Sequence, residues 1–375
     1  MDPGLKPGEH IKPPTTEEDA TVLIEAIYGV TVTQIKELVS YDDKNYLIQV
    51  SDKYDNSNIS EIAPSGYVCK IMNSMSSQNT DLIEAQNGII LHLDAHKKEF
   101  GNTLFPKLIQ SRCGKYYVIK ELGNTGKKYA VRLLEFIPGA TLFSIQSIPL
   151  TVFEEIGSTI AKIDVVLKSF HHKVFEKNKT VWMLEHIELL EPFIFAVKNE
   201  ADRNLVTEVV RSFRQNVMAH YDKFSKGTIH GDFNESNMLV GTYPDADDGV
   251  LHVTGVLDFG DACLSTYLFE LAITITYAIL QADDLVAGKL VLSGYKQVNP
   301  LTSLELQFLK TCICARLCVS LTMGAYTVLQ EPENSYVMRT SVRGWRYLKL
   351  LWEMDSNALL RSWDDTSVTS VIKEE

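Results

Sequence analysis

The hydrophobic period of this chain changes once, at Ile137-Pro138-Gly139. Before that point apolar and polar residues alternate in short runs, over 30–39, 46–50, 67–72, 115–121 and 128–136. Such alternation is what half-buried strands require. Beyond it apolar residues recur mainly at helical spacing to about residue 363, except over 228–259, which reads as short strands and loops. Proline restricts the backbone and glycine frees it, so the junction is a natural hinge. A β-rich small lobe feeding a larger, mainly helical lobe is an α+β arrangement, with its ligand cleft expected at the hinge. The reading divides the chain into a disordered arm (1–14), an N-terminal lobe (15–137), a C-terminal lobe (138–363) and a mobile tail (364–375).

Local signals agree with this division. Thr15-x-x-Glu18 reads as a capping box opening a helix through Ile27, with Gly29 as its stop. Leu82, Ala85, Ile89 and Leu93 form the apolar stripe of a helix over 81–96. Polar turns over 40–45 and 123–126 join the strands on either side.

Composition narrows the function classes. Asp and Glu total 48 against 36 Lys and Arg, a net charge of -12. That balance argues against a nucleic-acid partner held through its phosphates. Residues 1–14 contain no apolar segment of the signal-peptide kind. The longest apolar run, near 269–280, is too short to span a bilayer, so no membrane partner is expected. The six cysteines form no CxxC pair, and Cys314 and Cys318 lie one helical turn apart. Buried, reduced thiols are expected, which suits a cytoplasmic protein.

The chemistry is carried by His230-Gly231-Asp232-Phe233-Asn234-Glu235-Ser236-Asn237 and, downstream, Val256-Leu257-Asp258-Phe259-Gly260. Phosphoryl transfer asks a protein for a carboxylate aimed at the attacking hydroxyl and for ligands to a phosphate-bound metal. An Asp followed by an Asn five residues on, each on a tight loop, supplies Asp232 as base and Asn237 as metal ligand. Asp258, beyond the next strand, is the second metal ligand, and Mg2+ is the expected ion. Either motif alone recurs by chance. Together, in this order and each beside an apolar strand-like run, they are specific.

The small lobe is expected to supply the nucleotide contacts. Lys70, at the end of an apolar strand, reads as a phosphate clamp held by Glu84 of the following helix. The backbone around Glu135–Ile137 is where a purine would bond. No G-x-G-x-x-G joins the first two strands; Asp42 and Asp43 stand there instead, facing either a metal or an ammonium group. For the acceptor, Asp261 and Glu270 are candidate partners of an ammonium, and Arg343 or Arg346 beside Trp345 of a carboxylate.

The Asp232, Asn237 and Asp258 pattern resembles that of the aminoglycoside phosphotransferases, choline kinases and their relatives. Within that superfamily the chain is similar to the hydroxylysine kinase branch. Segments 40–46, 81–87, 131–139, 230–239, 256–277 and 344–348 carry the likeness, which runs from about Thr15 to Trp352. The resemblance implies a two-lobed protein-kinase-like fold. It also implies transfer of the γ-phosphoryl of GTP to the side-chain hydroxyl of 5-hydroxy-L-lysine, in the cytosol. ATP stays open as donor. Choline, ethanolamine, homoserine or a sugar stay open as acceptors, and a catalytically dead binding module is the rival from another class.

Overall fold

The computed structural model describes residues 9–40, 42–123, 126–243, 249–330 and 335–364. The beginning of the expected arm, the tail from 365, Tyr41 and the middle of the 123–126 turn lie outside the described residues.

In the small lobe α1 (Glu17–Tyr28) leads into β1 (Val30–Leu38), β2 (Lys44–Tyr54) and β3 (Tyr67–Ile71). Then come α2 (Thr80–Ala95), β4 (Leu108–Ile109), β5 (Val118–Glu121) and β6 (Lys128–Glu135). The strands form one antiparallel sheet in the order β1-β2-β3-β6-β4, with β5 also pairing β6. Ile24 and Tyr28 of α1 pack with Ile48, Cys69 and Leu133 of the sheet.

The capping box at the start of α1 sits one residue later than the sequence suggests. Thr16 caps the helix and Asp19 closes the box, because Thr15 turns inward to Tyr46 Oη at 3.1 Å. Gly29 ends the helix in the left-handed conformation, as expected. The arm also needs correction from residue 9 onward. Ile11 is buried, its carbonyl accepts from Ser74 N–H at 2.9 Å, and Lys127 donates to the carbonyl of His10 at 2.7 Å.

The large lobe begins with β7 (Ala140–Thr141), α3 (Leu150–Leu167) and α4 (Glu200–Ser212). Next are β8 (Lys226–Ile229), β9 (Met238–Gly241), β10 (His252–Val256) and β11 (Cys263–Thr266). The helices α5 (Tyr267–Ala282), α6 (Leu285–Val298), α7 (Ser303–Gln330), α8 (Ser335–Glu353) and α9 (Ser356–Asp364) complete it. The short strands pair as β10-β9-β7 and β11-β8 and carry the two motif loops.

Among the described residues, α7 is long and apolar enough to cross a bilayer by length and composition. It is instead the core helix of this lobe, and its charged residues are bonded inside the protein. Glu305 accepts from Ser225 N–H at 2.7 Å, and Lys310 donates to the carbonyl of Met354 at 2.7 Å. All six cysteines are free; five are buried, and Cys113 is exposed.

The lobes are stitched beside the hinge. Leu104, after α2, bonds both ways with β10: its N–H donates to Thr254 O at 3.0 Å and its carbonyl accepts from Val256 N–H at 2.9 Å. Phe143 N–H, just past β7, donates to the carbonyl of Glu235 at 2.9 Å. The loop over 230–237 is therefore tied directly to the hinge.

Candidate active site

The two motif loops are locked together by His230. This residue is fully buried, donates from Nε2 to Leu257 O at 2.9 Å, and accepts at Nδ1 from Asp232 N–H at 3.3 Å. Burial lowers its pKa, which suits this neutral, one-donor role. Gly231 follows with φ +80, and a Cβ there would lie 2.4 Å from the carbonyl of Asp261. No L side chain fits that gap, which accounts for glycine between the His and the Asp.

Asp232 emerges from this loop with both carboxylate oxygens engaged. Oδ1 accepts from Arg316 Nη2 at 2.7 Å; Oδ2 accepts from Asn234 Nδ2 at 2.8 Å and from Asn237 Nδ2 at 3.2 Å. Asn237 also donates to the carbonyl of Asp232 at 2.9 Å, and its own carbonyl accepts from Leu257 N–H at 2.8 Å. The ladder between β9 and β10 thus sets Asn237 beside the residue preceding Asp258.

Asp258 adopts φ +54, a left-handed conformation that aspartate tolerates better than most residues. Its carboxylate receives Lys70 Nζ at 2.8 Å on both oxygens, and Gly260 N–H at 3.1 Å on Oδ1. Burial works against its charge, but the Lys70 ammonium outweighs that and holds the group at about 2. The side chain is 40% exposed, so an ionised carboxylate is open to solvent, one residue beyond the Leu257 N–H that bonds Asn237. No cluster of three His, Cys, Asp or Glu side chains exists among the described residues. One carboxylate and one amide oxygen with an open side nevertheless fit Mg2+, which keeps several waters and takes further ligands from phosphates.

The expected Lys70–Glu84 pair is not formed. Glu84 is exposed and faces the hydroxyl of Tyr117. The second carboxylate on Lys70 is Asp43, at 3.1 Å. Asp43 is itself fixed by Asn73, whose backbone N–H and Nδ2 donate to Oδ1 at 2.7 and 3.0 Å. Burial disfavours the Lys70 ammonium, yet Asp258 and Asp43 together raise its pKa. The loop that would cover phosphates therefore presents a carboxylate to an ammonium group. From α2 it is Gln86 and Asn87 that turn inward. Gln86 Nε2 donates to Gly260 O at 2.7 Å, and Asn87 Oδ1 accepts from buried Arg132 at 3.2 Å. Asp43→Asn is expected to lower kcat/KM roughly 10- to 10²-fold by loosening Lys70. Glu84→Gln should leave kinetics within about twofold, and a steady-state comparison of the two variants checks the exchange of roles.

At the hinge, Glu135 N–H donates to Lys107 O at 2.8 Å, and Phe136 N–H to Gly66 O at 3.0 Å. The Glu135 side chain pairs with Lys107 at 2.7 Å. Ile137 follows these two committed amides and is buried at the lobe junction.

The remaining candidates separate. Asp261 lines a cavity beside Gly231, together with Thr180, Trp182, Glu185 and Ser265. Burial and the carboxylates of Asp232 and Asp258 push Asp261 up to about 8. Glu270 is fully buried beneath the loop, where its Oε2 accepts from Gly231 N–H at 3.0 Å; its contact is with the loop backbone. Arg343 and Arg346 are engaged elsewhere. Both pair with Asp283, just past the end of α5, and Arg343 also donates to Leu280 O at 3.1 Å. Glu270 lies in the first turn of that helix, so ~1.5 Å per residue places the two ends about 20 Å apart. Trp345 packs against the large-lobe core, the reading its helical spacing favours.

Burial lifts the carboxyl of Glu270 to about 7 and that of its neighbour Asp164 well above the usual range. Groups that bind protons more tightly when folded stabilise most below their unfolded pKa, and lose that contribution as pH rises through the folded value. Wild-type Tm should therefore fall by several °C relative to Glu270→Gln between about pH 5 and pH 8. Calorimetry across that range measures it.

Residues 47–301 match the model of the phosphotransferase enzyme family. Curated relatives include a hydroxylysine kinase of Mus musculus, 34% identical over 366 residues, covering 95% of this chain and 94% of the relative. One from Xenopus laevis is 35% identical over 364 residues, with 95% of both chains covered. Among solved structures, a microcompartment-associated aminopropanol kinase superposes with a TM-score of 0.66 at 16% identity, covering 89% of this chain and 98% of that one. The amicoumacin kinase hAmiN, in complex with AMP-PNP and Ca2+, gives 0.64 at 15% identity, covering 92% and 97%. The GDP complex of an aminoglycoside 2'-phosphotransferase-IIIa gives 0.56 at 14% identity, covering 90% and 98%. These likenesses show a kinase-like fold.

Proposed function

This chain belongs to the phosphotransferase enzyme family and is a phosphotransferase with an alcohol group as acceptor, and from that premise we propose that it phosphorylates the side-chain hydroxyl of 5-hydroxy-L-lysine. The observation that carries the acceptor is the pair of carboxyl groups, Glu185 and Asp261, beside Gly231. They share a cavity of about 10 Å³ with Trp182 and the apolar side chains of Met183, Leu184 and Ile273, next to the loop that bears Asp232; that is room for about one water. An acceptor with two ammonium groups suits a pair of carboxyl groups so placed. An arriving ammonium would reverse the upward shift of Asp261 and add favourable energy as it ionises. The near full-length likeness to hydroxylysine kinases supports the same choice.

In this reading the acceptor hydroxyl approaches Asp232 Oδ2, displacing the amide contacts there. Its oxygen forms a bond to the γ-phosphorus while the bond to the β,γ-bridging oxygen breaks. The proton passes to Asp232 and on to solvent as the nucleoside diphosphate leaves. Asp258 and Asn237 would hold Mg2+, which supplies charge neutralisation on the phosphates. Lys70, held by Asp43, would bind a phosphate oxygen. The Ile137 backbone would meet the purine. GTP is the proposed donor and the cytosol the proposed location, the latter in keeping with free, mostly buried thiols.

A coupled nucleoside-diphosphate release assay tests this. GTP and ATP are each offered with Mg2+ to hydroxylysine, lysine, choline, ethanolamine and homoserine. Turnover with hydroxylysine and none with lysine is the expected result. Turnover confined to another alcohol would discard the acceptor, and a clear preference for ATP would discard the donor.

A further inference from the structure

One buried cation of the large lobe belongs to neither motif. Arg316 lies in the middle of α7, in the apolar run Cys312-Ile313-Cys314-Ala315-Arg316-Leu317-Cys318, and is 1% exposed. A charge so placed needs a full set of partners. Nε donates to Tyr277 Oη at 3.2 Å, Nη1 to Trp182 O at 3.1 Å, and Nη2 to Asp232 Oδ1 at 2.7 Å. The rings of Tyr277 and Trp182 lie 5.2 and 5.7 Å from its guanidinium carbon. The planar fork is therefore oriented by two neighbours on other elements before it meets the carboxylate.

We propose that Arg316 is a positioning residue for phosphoryl transfer, gripping Asp232 by Oδ1 so that Oδ2 is presented to the acceptor hydroxyl. The proposal rests on Asp232 being the group that receives that hydroxyl. A carboxylate at the tip of a loop can rotate about its side-chain bonds, and one fixed oxygen removes that freedom. Asn234 and Asn237 hold Oδ2 with neutral amide donors, contacts weaker than the ion pair on Oδ1. An incoming hydroxyl would displace these first. Three of the five N–H groups of Arg316 are committed, one on each nitrogen.

The experiment compares Arg316→Lys, Arg316→Ala, Tyr277→Phe and Asp232→Asn with wild type, using GTP, Mg2+ and hydroxylysine or the panel acceptor that replaces it. Nucleotide Kd and thermal melting establish which variants fold. Positioning predicts that kcat falls roughly 10²-fold in Arg316→Ala and less in Arg316→Lys, with nucleotide Kd and acceptor KM within about threefold. Adding guanidinium at tens of millimolar should restore at least about tenfold of the lost kcat in Arg316→Ala, whereas methylammonium should not. If Arg316→Ala does not fold, Arg316→Lys and Tyr277→Phe carry the test, and normal kcat in both overturns the proposal. Equal losses in stability, KM and kcat without rescue would make Arg316 a structural bolt and overturn it. Full activity in Asp232→Asn removes the premise; an inactive Asp232→Asn beside normal Arg316 variants refutes the positioning role alone.

Discussion

Asp232→Asn is expected to leave a folded protein that still binds nucleotide, with kcat lowered roughly 10²–10⁴-fold. The substitution keeps the shape and removes the proton acceptor. It also creates a mismatch that the structure makes explicit. In wild type both oxygens accept, from Arg316 on one side and from Asn234 and Asn237 on the other. An asparagine must turn its NH2 toward one of those sets of donors. Melting temperature should therefore drop as well, by the equivalent of about 1–3 kcal/mol, because the buried Arg316 guanidinium loses its counter-charge. Single-turnover kinetics at saturating nucleotide separate the chemical loss from the stability loss. Turnover within tenfold of wild type would remove Asp232 from the mechanism.

The second large effect is at Asp258. Asp258→Asn takes away the one carboxylate that pairs with Asn237 in the proposed metal site. A metal that neutralises developing charge supplies several kcal/mol, so kcat/KM should fall on the order of 10³-fold. The Mg2+ concentration giving half-maximal rate should rise alongside it. Folding should survive, because Lys70 keeps Asp43 at 3.1 Å and is not left as an unpaired buried charge. A Mg2+ titration of initial rates decides the matter: an unchanged midpoint with near-normal turnover would mean that the ion binds elsewhere.

Both predictions concern residues that a reader of the sequence can find. Asp232 and Asn237 are five residues apart on one loop, and Asp258 follows the next strand. Their separations are set by local chain geometry, so the spacing itself carries the information. Lys70 is visible in the same way, as a lysine ending an apolar strand. Its partner is not. The helix after β3 offers Glu84 at an appropriate distance along the chain, yet α2 is rotated so that Gln86 and Asn87 point inward and Glu84 faces Tyr117. Asp43, with no glycine loop around it, takes the ammonium instead. Arg343 and Arg346 show the same limit from the other side: their charge suits a carboxylate, but the packing of α8 directs them to Asp283.

Periodicity, hinge and motif spacing determined the two lobes, the strand-rich to helix-rich order and the loop that places Asp232 beside Asn237. All of these depend on interactions between residues close along the chain, or on a repeat summed over many of them. Tertiary structure alone decided which charges meet. Arg316 reaches Asp232 across 84 residues, and Lys70 reaches Asp258 across 188. Such pairs depend on the rotation of a helix about its axis and on how two lobes close. A few degrees or a few ångströms there change the partner without changing any pattern legible in the sequence.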